Sequence, residues 1–454
     1  MSIIIAILVL YMGGMLAIGF MGKKSSSSMN EFLTAGKSGG MFVMVCTYIG
    51  AHVGNGIVVG GAQYGADYGI GGVWFGLGAC LSYILFATVM SRLLYRRGYL
   101  TIPDLIRDRY QSKFASVLMA VLNICATLGI MAAQIMSGAA LFSALGLNPT
   151  LGAVLLAIVV FIYCSISGMW GVMMTDSVQT IVIFFSTIFC IVAIAMHGGF
   201  DAMSAALPET SFEFVPFSTE KLVMMLVPGA LNGLISGAAF QRTASCKNEK
   251  VAFFAPIIAA FALIPFVVMP VLIGMYGKAM FPDAPTNAIL FKVVLEMNPI
   301  VAGLMVSAVL SAVMSTMDIG LLNVTANTVN DIYYKTINPK ADQKTLGKLS
   351  AAVTMISGLI ALTLALTSSS ILGLLSSTYS LMNAGALVMV VGGIFWKKGT
   401  KEGAIASAFC GMAMIILSKM GVNIPYLSFT SLIPAAIAYV VVSLITQKKD
   451  VTAK

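Results

Sequence analysis

Apolar residues run along this chain in blocks of about twenty, separated by short stretches that hold nearly all of the Lys, Arg, Asp and Glu. A helix of about 20 apolar residues crosses a bilayer. Blocks of that kind recur about thirteen times, at approximately 2–21, 42–62, 70–91, 114–143, 149–167, 170–196, 222–241, 252–277, 299–329, 347–367, 371–395, 403–418 and 428–446. The pattern predicts an all-α polytopic membrane protein. The first block has no basic stretch before it and no small-residue cleavage site, so it reads as a retained span rather than a signal peptide. No Gly/Ser linker, low-complexity tract or short repeat breaks the series, and a single membrane transport domain over 1–454 is expected.

Composition narrows the class. With 59% hydrophobic residues, 9% charged and a mean hydropathy of +0.96, the chain is no soluble globular domain and has no room for an extramembrane catalytic one. The net charge of +9 would suit nucleic acid only if the basic residues clustered on one soluble face. Instead 22 of the 26 fall in alternate loops, at 22–41, 92–113, 242–250, 335–348 and 397–401 and in the tail 447–454, leaving Lys221, Lys278, Lys292 and Lys419 on the other side. The positive-inside rule then puts the N-terminus outside and the C-terminus inside a cell membrane whose anionic leaflet meets the basic loops. No nucleic acid is implied, and no segment calls for an obligate protein partner. The seven cysteines are scattered without CxxC pairing and read as small core residues.

The informative residues are those that hydrophobic spanning does not explain, because an ionisable group in lipid is costly. Asp318 lies about thirteen residues before Asp331 at the inner end of its helix, which places it roughly 20 Å deep. Asp176 is only about one and a half turns into its span, where a carboxylate can either serve a site or still reach cytoplasmic water. His52 falls mid-span, whereas His197 sits at an outer helix end as a surface residue. Around His52, the stretch from Gly50 to Gly56, with Asn55 and then Gly60 and Gly61, packs five glycines into one span. Each glycine weakens a helix by up to about 1 kcal/mol. Such a cluster either lets helices pack closely or breaks the helix, and a break frees carbonyls for an ion or solute near the bilayer midplane.

A second interrupted segment, Pro228 to Gly237, follows five spans later. The odd offset makes the two broken helices enter from opposite sides, as in an inverted repeat of spans two to six against seven to eleven. In a third cluster, Ala312, Ser315 and Thr316 share one helix face through their i, i+3 and i+4 spacing. Those hydroxyls either bond back to carbonyls one turn earlier or, facing the broken span, complete a cage of about five neutral oxygens suited to a hard cation such as sodium.

These residues carry a family resemblance. Thr101-Ile-Pro-Asp104 with Arg109-Tyr110, Gly171 through Thr175-Asp176 to Gln179, Phe240-Gln-Arg242 through Lys247 and Ala252, Ser311 to Thr316, and Asp331-Ile-Tyr333 together resemble the sodium:solute symporters. That resemblance implies the leucine-transporter-like five-plus-five inverted-repeat fold: an extra N-terminal helix at 2–21, repeats at 42–196 and 222–395, and two C-terminal helices at 403–446. It also implies a sodium site made by the Gly50, Val53 and Ala312 carbonyls with the Ser315 and Thr316 hydroxyls. A further cation or proton site would involve Asp176 and Asp318, where Asp318 and Ile319 stand in place of family serines. Solute contacts would come from His52, Asn55, Ile57, Asn232, Ser236, Tyr379 and Asn383, with the apolar Ile57 departing from the sugar-transporter pattern. The expected activity is sodium-driven import of a small polar organic solute by alternating access. Proton coupling through Asp318 and His52 is the alternative. An intramembrane enzyme built on Ser315, His52 and Asp318 finds no nucleophile elbow or HExxH motif, and a sensor would carry a signalling domain.

Overall fold

The computed structural model describes residues 2–25, 28–368, 378, 382–422, 424 and 427–447. The secondary structure of the described residues is helical apart from turns, bends and one isolated bridge between Gly39 and Cys246. The principal helices are α1 (Ser2–Met21), α2 (Met41–His52), α3 (Asn55–Tyr68), α4 (Val73–Phe86), α5 (Lys113–Ala144), α6 (Pro149–Met196), α7 (Thr219–Asn232), α8 (Gly237–Ser245), α9 (Glu249–Ala262), α10 (Ile264–Met280), α11 (Pro299–Thr325), α12 (Gln343–Thr367), α13 (Val388–Phe395), α14 (Lys401–Lys419) and α15 (Leu432–Thr446). Among the described residues eight helical stretches are long and apolar enough to cross a membrane, or nine if the bent pair at 219–245 counts as one.

Two of those stretches are too long for one crossing. At about 1.5 Å per residue the 48 residues of α6 would extend some 70 Å. Gly168 cuts it, at φ 54° and ψ −144°, between the blocks anticipated at 149–167 and 170–196. The same positive-φ reversal at Gly69 (φ 58°) separates α3 from α4. Only glycine adopts such angles without strain.

Both anticipated breaks are present. α2 ends at His52, Val53 leaves helical geometry at ψ 54°, and α3 begins at Asn55. The second break falls inside the anticipated segment from Pro228 to Gly237, toward its far end. Pro228 is held inside α7, and the chain bends by 47° only where the short 3-10 turn Gly233–Ile235 meets Ser236. Ser236 caps α8 by accepting from the Ala239 N–H at 3.3 Å.

Cross-packing relates the two halves. The broken pair α2 and α3 lies along α9 and α10, while α7 and α8 lie along α4 and its continuation Arg92–Arg97. Each broken helix therefore rests on the long helix that follows the other break, as an inverted repeat requires. α11 passes between the halves, packs most extensively on α6, and is buried over nearly its whole length.

Candidate functional site

The first break brings α2 against the middle of α11. Its helical ladder runs as far as Val53 N–H to Ile49 O (2.9 Å) and resumes with Ile57 N–H to Gly54 O (3.0 Å). The Gly50 carbonyl accepts instead from the Ser315 hydroxyl at 2.9 Å. Ser315 (3.2 Å) and Thr316 (3.1 Å) also bond back to the Ala312 carbonyl one turn earlier, the first of the two sequence alternatives for α11. Four of the five expected oxygens thus form one connected group: Gly50 O, Ser315 Oγ, Ala312 O and Thr316 Oγ1. Val53, fully buried, follows Gly50 by one turn. At Gly54 a side chain would start 2.6 Å from Thr316 Oγ1, so glycine lets the unwound backbone approach α11. Among the described residues no group of three or more His, Cys, Asp or Glu is placed to hold a metal, so a cation here would rest on neutral oxygens.

Asp176 is completely buried, which rules out the reading in which it reaches cytoplasmic water. Its partner is Arg242, also 0% exposed, through Arg242 Nη2 to Asp176 Oδ2 at 2.9 Å. Thr47 closes the triangle: it accepts from Arg242 Nε at 2.9 Å and donates to the same carboxylate oxygen. The sequence reading placed Arg242 among the basic loop residues. It lies instead in the last turn of α8, where a buried guanidinium persists only because it is paired. The second oxygen, Asp176 Oδ1, has no hydrogen-bond partner and faces the backbone of Gly50, where a Cβ would start 3.2 Å away.

Asp318 is also wholly buried, and its partners are neutral: Tyr163 donates at 3.0 Å, Thr175 at 3.4 Å and the Ile319 N–H at 2.6 Å. Among the described residues no basic side chain pairs with it. Two further acids assigned to loops or span ends are buried as well. Asp331 accepts from Thr101 at 2.9 Å and Asp104 is bridged by Lys335. All seven cysteines are free; five are buried as expected of core residues, but Cys125 is exposed and Cys410 partly so.

The expected solute residues gather around the breaks. His52 is half-buried between Tyr83 (2.6 Å) and Ser82 (3.3 Å), and Asn55 donates to Ser137 at 2.8 Å. Ile57 is buried, while Asn232 and Ser236 are half-buried at the second break. Tyr379 and the side chain of Asn383 lie outside the described residues. Sequence reasoning missed Thr47, Ser82, Tyr83, Ser137 and Tyr163. Thr47 shared a helix face with Gly50 through its i, i+3 spacing, but the partners of the others lie on distant helices and left no local signal.

Comparison with known proteins agrees with this architecture. Residues 32–411 match the model of the sodium:solute symporter family. Similar relatives include the sodium/proline symporter of Escherichia coli, 26% identical over 90% of this chain and 86% of that one. The sodium/pantothenate symporter of Haemophilus influenzae is 26% identical over 92% and 90%. Among solved structures, a sodium-coupled sialic acid symporter in its substrate-bound, outward-open state superposes with a TM-score of 0.83 at 16% identity, covering 98% of both chains. A nucleobase-cation-symport-1 family transporter gives 0.58 at 14% identity, over 91% of this chain and 92% of that one. These likenesses fix the leucine-transporter-like fold, and the relatives are transporters rather than enzymes. The match over most of its length makes this chain a member of the sodium:solute symporter family, a multi-pass cell-membrane protein that couples sodium to solute transport.

Proposed function

We propose that this symporter imports a small polar organic solute, and that the coupling sodium binds to the Gly50, Val53 and Ala312 carbonyls and the Ser315 and Thr316 hydroxyls. The observation that carries it is the bridge from Ser315 Oγ to the freed Gly50 carbonyl across the break. In this arrangement the hydroxyl proton holds together oxygens that would otherwise repel. An entering cation takes over that role: the Ser315 and Thr316 hydroxyls turn their protons away and present lone pairs, and the carbonyl end of α2 adds its partial negative charge. Sodium thereby ties α2 to α11 and orders the adjoining break, where the solute residues lie. By linkage each ligand raises the affinity for the other by the same factor. Loss of sodium inside the cell would loosen both helices and release the solute. In this reading the chain crosses the membrane thirteen times, N-terminus out and C-terminus in, with repeats at 42–196 and 222–395.

A specific observation also supports a second cation or proton site. With both carboxylates ionised, Asp176, Asp318 and Arg242 would leave one uncompensated negative charge in a fully buried cluster. A proton or a second cation would balance it.

The test is uptake into proteoliposomes of L-proline and pantothenate, the solutes named for two relatives, together with a wider panel of amino acids and carboxylic vitamins. Uptake should require an inward sodium gradient. Uptake of a solute that proceeds unchanged with choline in place of sodium, under clamped potential, rejects sodium as the coupling ion.

A further inference from the structure

His52 closes α2 at the break, and its ring is edge-on to Tyr83 with centroids 4.3 Å apart. Its hydrogen bonds determine which nitrogen carries the proton. Tyr83 has one hydroxyl proton and donates it to the Tyr48 carbonyl, which can only accept. Toward His52 Nδ1, 2.6 Å away, the phenol oxygen is therefore the acceptor, and Nδ1 must be the N–H. In the neutral imidazole this leaves the lone pair on Nε2. Among the described residues no carboxylate pairs with His52, so nothing there favours a second proton in this interior position.

Among the described residues the hydrogen-bond partner of Nε2 is Ser82, whose hydroxyl lies 3.3 Å from it and 2.9 Å from the Ala79 carbonyl. One proton serves two acceptors. When it points to Ala79, Nε2 is left to accept from elsewhere; when it points to Nε2, the imidazole is satisfied without a ligand. The ring is only half-buried and lies beside the unwound segment. Asn55, three residues on, donates to Ser137 and makes no hydrogen bond to the ring.

We propose that Tyr83 is a positioning residue that locks His52 as the Nδ1–H tautomer, so that Nε2 reads a hydrogen-bond donor, an amine, amide or hydroxyl hydrogen, on the transported solute, with Ser82 as the donor that yields its place. This rests on the transport reading above and deepens it by naming a chemical requirement on the solute. A solute end offering only acceptors would find the Ser82 proton turned to Nε2 and no donor left for itself, and would be disfavoured, since a polar group left unpaired is expensive.

The chain has two histidines, so the test is direct. In nanodiscs containing sodium, the full-length His197→Ala protein labelled with 15N-histidine shows one imidazole. A long-range proton–nitrogen correlation is expected to give the Nδ1–H pattern, and Tyr83→Phe should convert it wholly or partly to Nε2–H. An Nε2–H or doubly protonated ring in the parent, or a spectrum unmoved by Tyr83→Phe, overturns the proposal. In the uptake assay, Tyr83→Phe should raise KM about tenfold with kcat within twofold. A Tyr83→Phe effect confined to kcat would mark a structural role and overturn it too. A panel on which the parent shows no sodium-driven uptake would reject the transport reading and leave the nitrogen spectra, which need no solute, to decide the tautomer.

Discussion

The Ser315 hydroxyl reaches the Gly50 carbonyl at 2.9 Å across 265 residues of sequence. One side is a glycine whose helical ladder has ended; the other is a serine whose hydroxyl already leans on its own helix. The contact is made by groups that can exchange it for an ion.

Ser315→Ala should therefore weaken sodium more than solute. A hydrogen bond or ligand contact to a charged group contributes about 1.5–3 kcal/mol, which corresponds to roughly 10- to 150-fold in the sodium concentration giving half-maximal uptake. The maximal rate at saturating sodium should change much less. Thr316→Ala should act in the same direction. Sodium titrations of uptake for both variants check this, and unchanged half-saturation in Ser315→Ala would remove it from the site.

The Arg242 and Asp176 pair makes a prediction about stability. Both side chains are fully buried, so removing either partner leaves an unpaired charge inside the protein, a loss of about 3–5 kcal/mol. Arg242→Met or Asp176→Leu alone should give poorly expressed, heat-labile protein. The double variant should recover most of the lost thermal stability, because replacing both ions with apolar groups of similar volume costs little. Additive losses in detergent melting curves would show that the pair is not energetically coupled.

How much of this was legible beforehand depends on how local each signal was. The broken helices announced themselves through clustered Gly and Asn, and the α11 oxygens through i, i+3 and i+4 spacing, because both are properties of one segment. Arg242 was misplaced because a residue at the end of an apolar block looks like any cytoplasmic arginine. Its burial follows from Asp176 on another helix, 66 positions away. The burial of Asp331 escaped notice for the same reason, its partner Thr101 lying 230 positions earlier. Within the second interrupted segment the break sits at Ser236 rather than at Pro228, because proline is tolerated within a membrane helix when neighbours satisfy the freed carbonyl.

Asp318→Asn separates the two accounts of the second buried carboxyl. The substitution keeps the shape and lets the amide oxygen accept from Tyr163 as the carboxylate does. Sodium-driven uptake is expected to persist, the neutral amide standing in for a carboxyl whose charge a proton balances. Abolished uptake in a stably folded Asp318→Asn protein would instead favour a charge-carrying role for this group.

Gly168 is where the chain reverses between two spans, and it is constrained twice. Its φ of 54° is unfavourable for any residue with a Cβ, and that Cβ would start 3.0 Å from the Phe32 ring. Gly168→Ala should cost at least about 1–2 kcal/mol in thermal unfolding, the range for a residue forced into the left-handed region. Gly13→Ala in α1 is the control, since nothing lies within 4 Å of the new methyl. It should be neutral or stabilising by up to about 1 kcal/mol through helix propensity alone. A Gly168→Ala protein as stable as the parent would mean that the reversal survives a change of backbone angles.

The last prediction concerns the way out. Below the breaks, Asn123 donates to Asn323 (3.1 Å) and Asn327 (3.3 Å), and Gly237 of α8 presses directly on the Asn323 amide. Buried amides in a membrane interior cost energy unless paired, and among the described residues these pair with one another and Thr127. Beyond them a half-enclosed cleft of about 280 Å³ is lined by Asn30, Lys37, Tyr95, Asp104, Asn330 and Lys335. The Lys335 to Asp104 bridge spans this cleft, joining the helix that continues α11 to the Ile102–Tyr110 helix. If solute leaves between α5, α8 and α11, this bridge must part before the amides are wetted. Lys335→Met should then raise the rate at which a membrane-impermeant thiol reagent modifies Asn327→Cys from the cytoplasmic face, in a protein whose exposed Cys125 and Cys410 are replaced by Ser. A several-fold increase is expected without sodium and a smaller one with it if sodium holds α2 against α11 as proposed. Equal labelling rates with and without the lysine would place the exit elsewhere.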